Sequence, residues 1–177
     1  MNNKIKIILI SGKAQHGKDT VANALNALLT DRGHRVLVTH YADLLKYICK
    51  TFFNWNGEKD EAGRHILQYV GTDVVRKERP DFWAEFIISI IDLFSDNWDY
   101  VIIPDTRFPN EVDALKSKYH SVLHFRVVRP NFESSLTDEQ KNHPSETALD
   151  NVEPDVVIYN KGTIEDIMDS LTRMEWL

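Results

Sequence analysis

Gly12-Lys13-Ala14-Gln15-His16-Gly17-Lys18 is the stretch of sequence that decides the fold. It follows an apolar run at residues 5–10 and precedes a helix-like stretch at residues 20–29. A strand, a glycine-bounded turn, a lysine and a helix in this order are typical of a phosphate-binding loop. In such a loop the backbone N–H groups converge on one anion, and the lysine reaches the β- and γ-phosphates. The sequence therefore predicts a nucleoside triphosphate site.

The residue after the lysine departs from the usual pattern, which has Ser or Thr there to bind Mg²⁺. Here Asp19 follows Lys18, and Thr20 comes one position later. Either the Asp19 carboxylate faces the metal and Thr20 binds a phosphate, or Asp19 caps the start of the helix. The sequence leaves both arrangements open.

Composition restricts the class of protein. The chain has 177 residues and a net charge of −6, which argues against binding a nucleic acid polymer. Cys49 is the single cysteine, so no internal disulfide can form and a cytoplasmic location is expected. We find neither a zinc-ligand spacing nor an apolar run of the ~20 residues that a membrane span needs. We expect one domain over residues 1–177, with homodimer formation left open.

Strand and helix patterns alternate along the chain. This alternation predicts a three-layer α/β fold, with a mostly parallel five-stranded sheet and helices on both faces. The predicted strands are Lys4–Ile10, Arg35–Tyr41, Tyr100–Pro104, Val122–Val128 and Val156–Tyr159. The predicted helices are Lys18–Asp31, Asp43–Phe52, Glu61–Val70, Phe82–Asp96, Asn110–Tyr119 and Ile164–Arg173.

Two long excursions interrupt the alternation. Residues 43–98 insert three helical segments between the second and third strands, and residues 129–154 form a polar, turn-rich segment. Excursions of this length are usually functional, and both follow strand ends where open α/β sheets bind ligands. We interpret the first as a helical substrate-binding insertion and the second as a lid, as in a kinase that closes over two substrates.

A charged cluster follows the third predicted strand. Asp105 ends that strand, and Arg107 and Glu111 come shortly afterwards. Phosphoryl transfer requires positive charge against the migrating group and a carboxylate that holds Mg²⁺ or polarises the acceptor. We therefore predict that Lys18, Asp105, Arg107 and Glu111 are catalytic. The alternative is a structural ion pair of Asp105 with Arg107 and an ordinary helix-start role for Glu111.

Two further basic residues are candidates for the ATP site. Lys13 lies inside the loop and either contacts the transferred phosphoryl group or is a solvated surface lysine. Arg129 opens the lid segment and could stack on adenine or contact phosphate. The complete predicted ATP site is Gly12, Lys13, Gln15, His16, Gly17, Lys18, Asp19, Thr20 and Arg129.

The chain resembles the deoxynucleoside monophosphate kinases of bacteriophages and some bacteria. The resemblance rests on the loop with its Asp-Thr pair at residues 12–20 and on five further stretches in order. These are Tyr41-Ala42-Asp43-Leu44-Leu45-Lys46, Leu67-Gln68-Tyr69-Val70-Gly71-Thr72-Asp73, Pro80-Asp81-Phe82-Trp83, Asp105-Thr106-Arg107-Phe108-Pro109-Asn110-Glu111 and His143-Pro144-Ser145-Glu146. A last match is Asp155-Val156-Val157-Ile158-Tyr159-Asn160-Lys161-Gly162, so the similarity covers nearly the whole chain.

The resemblance implies ATP- and Mg²⁺-dependent phosphorylation of a deoxynucleoside monophosphate. It implies that Lys18, Asp19 and Thr20 hold the ATP phosphates and Mg²⁺. Together with the acid at the end of the third predicted strand, the predicted metal ligands are Asp19 and Asp105. The resemblance assigns the monophosphate site to Arg64, Gln68, Gly71, Thr72, Trp83, Arg107 and Glu111.

Two other functions stay open at this point. The loop and the Asp105-Thr106-Arg107 step also resemble animal-type phosphomevalonate kinase, which has an isoprenoid acceptor. A switch protein that binds a nucleotide without any acceptor is the second alternative.

Overall fold

The computed structural model describes residues 5–174 and contains one sheet of five parallel strands. The strands are β1 (Lys6–Ser11), β2 (Val36–Val38), β3 (Tyr100–Ile103), β4 (Val122–Val128) and β5 (Val156–Tyr159). Their order across the sheet is β2-β3-β1-β4-β5, and every pair is parallel. The predicted α/β class and parallel sheet are confirmed. Lys4, the predicted start of the first strand, lies outside the described residues.

The central strand β1 is buried on both faces. Its residues Ile7, Ile8, Leu9 and Ile10 are at most 1% exposed. Strands β3 and β4 cover its two edges, and side chains from helices cover its two faces. A parallel strand covered on both faces reads as a continuous apolar run rather than an alternating one. The loop that follows β1 therefore leaves the sheet at its centre.

Eight α-helices complete the described elements. They are α1 (Lys18–Asp31), α2 (Ala42–Phe52), α3 (Glu61–Gln68), α4 (Phe82–Leu93), α5 (Pro109–Lys118), α6 (Asp138–Asn142), α7 (Pro144–Thr147) and α8 (Ile164–Thr172). A π-helix spans Tyr69–Arg76 and a short 3-10 helix spans Ser95–Asn97. Across residues 5–174, we find no helix with the length and apolar content needed to cross a bilayer.

The helices form two layers over the sheet. Ile7 and Leu9 pack into one core with residues of α4 and α5. Ile8 and Ile10 pack into a second core with residues of α1 and α8. Because successive strand residues point to opposite faces, these two cores cover the two sides of the sheet. The predicted three-layer arrangement is confirmed.

The structure corrects the predicted ends of two elements. Strand β2 ends at Val38 rather than at Tyr41, because α2 begins at Ala42 and the preceding turn leaves the sheet. The fourth helix ends at Leu93 rather than at Asp96, and the 3-10 helix follows it.

The insertion also differs from the predicted helix Glu61–Val70, which stops just before Gly71. The chain instead continues from α3 directly into the π-helix. A Cβ on Gly71 would lie 2.7 Å from a methyl carbon of Leu45, so the residue allows α2 to approach closely. Its carbonyl accepts a hydrogen bond from Trp83 Nε1 at 3.1 Å. The glycine therefore serves helix packing and does not end the helix.

Candidate active site

The loop between β1 and α1 requires glycine at two positions. Gly12 has φ +142° and Gly17 has φ +92°, both in the region that favours glycine. A Cβ on Gly12 would lie 2.4 Å from the Val127 carbonyl oxygen, and one on Gly17 would lie 2.4 Å from Asn160 Nδ2. The loop is therefore packed tightly against β4 and against the residue that follows β5.

Lys18 begins α1 and turns back over the loop. Its Nζ donates hydrogen bonds to the carbonyl oxygens of Gly12 at 2.8 Å and Lys13 at 2.9 Å. The residue is 9% exposed. Burial, followed by the positive charge of Arg107, lowers the pKa of Lys18 to about 7. An anion bound beside this amine would offset both effects and favour its charged form.

Asp105 follows β3 and holds the start of α2. Its two carboxylate oxygens accept the backbone N–H groups of Tyr41 and Ala42, each at 2.9 Å. Burial raises the pKa of Asp105, and the two backbone hydrogen bonds oppose this shift. Asp105 thus joins the strand end to the helical insertion. This role is not the predicted alternative of an ion pair with Arg107.

Asp19 is exposed at the start of α1 and interacts with His40. The His40 ring lies between two carboxylates, with Nε2 at 3.3 Å from Asp19 and Nδ1 at 3.3 Å from Asp43. The hydrogen bond with His40 lowers the pKa of Asp19, and the same contact raises the pKa of His40. The N-cap residue of α1 is Gly17 rather than Asp19, and Asp19 lies within the first turn of the helix.

The carboxylates of this region fit a Mg²⁺ that arrives with phosphate. Within residues 5–174, no group of three or more His, Cys, Asp or Glu side chains could form a metal cage. Mg²⁺ usually binds one or two carboxylates together with substrate phosphates rather than an all-protein cage. Asp19 and Asp105 line the same cavity and are the residues that could supply these carboxylates.

Glu111 on α5 forms a buried ion pair with Arg76. The Arg76 guanidinium lies 2.6 Å from Glu111 Oε1, and the side chains are 13% and 2% exposed. Glu111 Oε2 accepts the backbone N–H groups of Arg107 at 2.7 Å and Phe108 at 3.1 Å. Burial raises the pKa of Glu111, and the charge of Arg76 opposes this shift. Glu111 therefore holds the backbone of Arg107 and Phe108 in place.

Arg107 and the loop both contact the lid segment. Arg107 Nη1 donates to the Ser145 carbonyl oxygen at 3.0 Å and to the Glu146 carboxylate. Glu146 Oε2 also accepts the backbone N–H of Ala14 at 2.8 Å. Lys13 Nζ donates to the Glu146 carbonyl oxygen at 2.7 Å and to Asp150 at 2.5 Å. The lid thus rests on the phosphate-binding loop.

One cavity of about 450 Å³ brings most of the predicted site residues together. The predicted residues that line it are Gln15, Lys18, Asp19, Arg64, Gln68, Gly71, Thr72, Trp83, Asp105, Arg107 and Glu111. Trp83 is 3% exposed and also belongs to the core, so its ring is a fixed part of the cavity wall.

The other predicted ATP-site residues lie outside this lining. They are Gly12, Lys13, His16, Gly17, Thr20 and Arg129. Arg129 stacks on Phe132, with its guanidinium carbon 4.2 Å from the ring centroid. Its backbone N–H donates to His16 Nδ1 at 3.2 Å, which joins the start of the lid segment to the loop.

Several lining residues were missed by the sequence reasoning. Arg76 follows Arg64, Gln68 and Thr72 at a constant spacing of four, so the helical period alone could have indicated it. Lys59 lies in the segment between α2 and α3, and burial and the charge of Lys46 lower its pKa. No local pattern identifies Lys59, because its position depends on the fold of the insertion.

The fold is a parallel α/β sheet with a glycine-bounded loop between its central strand and α1. The deoxynucleotide monophosphate kinase family matches residues 26–171, which begin within α1 and continue almost to the end of the described chain. The chain therefore belongs to the deoxynucleotide monophosphate kinase family.

Named relatives agree with this assignment. The deoxynucleotide monophosphate kinase of Enterobacteria phage T4 is 33% identical over 118 residues, which are 66% of this chain and 46% of that protein. The protein of the same name from Escherichia phage RB69 is 32% identical over 114 residues, 63% of this chain and 43% of the relative. The chain spans less than half the length of these relatives. A sugar kinase from Janibacter sp. HTCC2649 has the same fold, with a TM-score of 0.55 and 12% identity over 94% of this chain and 92% of that one.

Proposed function

We propose that this protein transfers the γ-phosphoryl group of ATP to a deoxynucleoside monophosphate. The observation that carries the proposal is the single cavity that Lys18 and Arg107 share with Arg64, Gln68 and Thr72. The first two residues belong to the phosphate-loop side and the others to the helical insertion. Membership in the family supports the same reaction. In this proposal, ATP binds on the phosphate-loop side of the cavity and the acceptor binds on the side of the helical insertion.

The acceptor end is rich in positive charge. Lys46, Lys59 and Arg64 line the cavity on the side of the insertion, where the acceptor phosphate would lie. The burial that lowers the pKa of Lys59 is the cost that a bound phosphate dianion would offset. We therefore place the monophosphate group near these cations and its base toward Trp83 and Gly71.

Catalysis in this proposal is mostly positioning and electrostatic stabilisation. Lys18 and the loop amides hold the triphosphate, and Arg107 neutralises charge on the transferring group. Asp19 and Asp105 would hold Mg²⁺, which would supply positive charge against the phosphate groups during transfer. Glu111 acts as a positioning residue, because its carboxylate accepts the backbone N–H of Arg107 and so holds that residue in place.

An acceptor panel tests the proposal. ADP release from ATP is measured in a coupled assay with each of the four deoxynucleoside monophosphates and with phosphomevalonate. We expect release that depends on at least one deoxynucleoside monophosphate and none that depends on phosphomevalonate. Release with phosphomevalonate alone would establish the isoprenoid acceptor, and binding of ATP without any acceptor-dependent release would establish a switch protein.

Three further properties belong to this proposal. The protein acts in the cytoplasm, where its buried Cys49 stays reduced. It binds no nucleic acid polymer, as its acidic composition suggests. Homodimer formation stays a prediction, which light scattering at working concentration would decide.

A further inference from the structure

A carboxylate of the lid occupies the place in the loop where a phosphate is expected. Glu146 lies on α7 with its side chain 8% exposed. One carboxylate oxygen accepts the backbone N–H of Ala14 at 2.8 Å, and the other accepts a hydrogen bond from Arg107. Ala14 lies in the middle of the phosphate-binding loop, whose N–H groups are suited to anions.

The groups that contact Glu146 are those that a triphosphate needs. The Ala14 amide belongs to the loop, and Arg107 is the cation proposed to meet the transferring group. The Glu146 carboxylate also raises the pKa of Lys18, although burial of the amine has the larger, opposite effect. A carboxylate and a phosphate oxygen accept such bonds in the same way, so both cannot occupy the loop at once.

Neighbouring contacts hold Glu146 in this position. Arg107 also binds the Ser145 carbonyl oxygen at 3.0 Å, and Lys13 binds the Glu146 carbonyl oxygen at 2.7 Å. A second, separate contact joins Lys13 to Asp150 at 2.5 Å. This last contact fastens the lid to the loop without entering the cavity, whose lining includes Glu146 but not Asp150.

We propose that Glu146 is an internal substitute for phosphate that keeps the lid on the ligand-free loop and sets the affinity for ATP. The triphosphate displaces the Glu146 carboxylate, takes over the Ala14 amide and frees Arg107 for the acceptor side. Because only the displaced state binds, the apparent affinity equals the intrinsic affinity multiplied by the fraction of molecules in which Glu146 has left the loop. The role of Arg107 after displacement rests on the proposed function, whereas the competition for the loop does not.

Binding of inorganic tripolyphosphate with Mg²⁺, measured by calorimetry, tests this inference without any acceptor. Glu146→Ala and Glu146→Gln remove the competing charge, and Asp150→Asn is the matched control on the same lid. We expect Glu146→Ala to bind tripolyphosphate about tenfold more tightly than the wild type, and Glu146→Gln to shift in the same direction. Asp150→Asn should stay within about twofold of the wild type, since its contact lies outside the cavity.

The outcomes separate the inference from the proposed function. Equal or weaker tripolyphosphate binding in both Glu146 variants, with binding by the wild type, would overturn the inference and leave the kinase proposal intact. The absence of binding in the wild type and in all variants would overturn both. If Glu146→Ala does not fold, as judged by circular dichroism, the isosteric Glu146→Gln decides the question alone. A gain of affinity in Asp150→Asn equal to that of the Glu146 variants would show that lid fastening, and not the carboxylate, sets the affinity.

Discussion

Glu111→Gln tests whether this residue supports the site or acts on the substrate. The substitution keeps the size of the side chain and one acceptor oxygen, but it removes the charge that pairs with Arg76. Both side chains are buried, and their closest approach is 2.6 Å. Arg76 is then left as a buried cation with only neutral partners among the described residues. These include the Pro80 carbonyl oxygen at 3.2 Å, the Asn110 side chain at 3.3 Å and the Phe108 ring, whose centroid is 3.8 Å from the guanidinium carbon.

The expected loss of stability follows from this burial. Removing one partner of a buried ion pair costs about 3–5 kcal/mol in the free energy of unfolding, because the other charge stays uncompensated. For a chain of this size, each kcal/mol lowers Tm by about 2–4 °C, so we expect a decrease of about 6–20 °C. The double variant Glu111→Gln with Arg76→Met should recover much of this loss, since a neutral pair of similar volume avoids the unpaired charge.

Urea unfolding followed by tryptophan fluorescence measures the stability, and the coupled ADP assay measures turnover at a temperature where each variant is folded. The account predicts a large stability loss in Glu111→Gln, recovery in the double variant and partial activity in both. A stable Glu111→Gln variant without turnover would show that Glu111 does not mainly support the site, because the carboxylate would then act directly in the reaction.

Four further predictions concern the phosphate-binding loop. Lys18→Met should abolish turnover while leaving thermal stability equal or higher, since it removes a buried amine; a destabilised variant would contradict this. The pKa of Lys18 is about 7 without ligand, so binding of ATP above that pH requires proton uptake by the amine. The affinity for ATP should therefore fall as the pH rises from 7 to 9. Calorimetry in two buffers of different ionisation enthalpy measures both the affinity and the proton uptake. Between pH 7 and 10.5, the ordinary pKa of a lysine, the unfolded chain binds more protons at Lys18 than the folded chain does. The contribution of Lys18 to the free energy of unfolding should therefore rise with pH over this range. Urea titrations of the Lys18→Met variant should lack this rise. Gly17→Ala should lower both stability and ATP affinity, because the added Cβ would lie 2.4 Å from Asn160 Nδ2 at a φ of +92°; unchanged values would show that the loop tolerates a side chain there.

The sequence predicted the centre of the fold well, for physical reasons. A strand buried on both faces leaves a continuous apolar run, as in β1, and the loop has a pattern of glycine and lysine that few other structures share. The same local signals indicated α1 with its start at Lys18. Strand β2 was predicted too long, because its end depends on the contact between Asp105 and the α2 backbone, which is distant in sequence.

The roles of individual site residues were harder to predict. Asp105, Arg107 and Glu111 were predicted together from their spacing, and all three line the cavity. The pairing of Glu111 with Arg76 and of Arg107 with Glu146 was not predictable, because the partners lie 35 and 39 residues apart in the sequence. Gly71 shows the opposite error. The predicted helix stops at Val70, just before this glycine, whereas the π-helix continues through Gly71, which packs against Leu45.

The central claim is that ATP and a deoxynucleoside monophosphate meet with their phosphates end to end in one cavity. Binding of bisubstrate analogues, in which adenosine is joined through five phosphates to each of the four deoxynucleosides, tests this claim most directly. We expect at least one analogue to bind more tightly than ATP alone and more tightly than the monophosphate alone. The Lys18→Met variant should lose this binding. Analogues that bind no better than ATP alone would contradict the claim, because the second half of each molecule would then have no site.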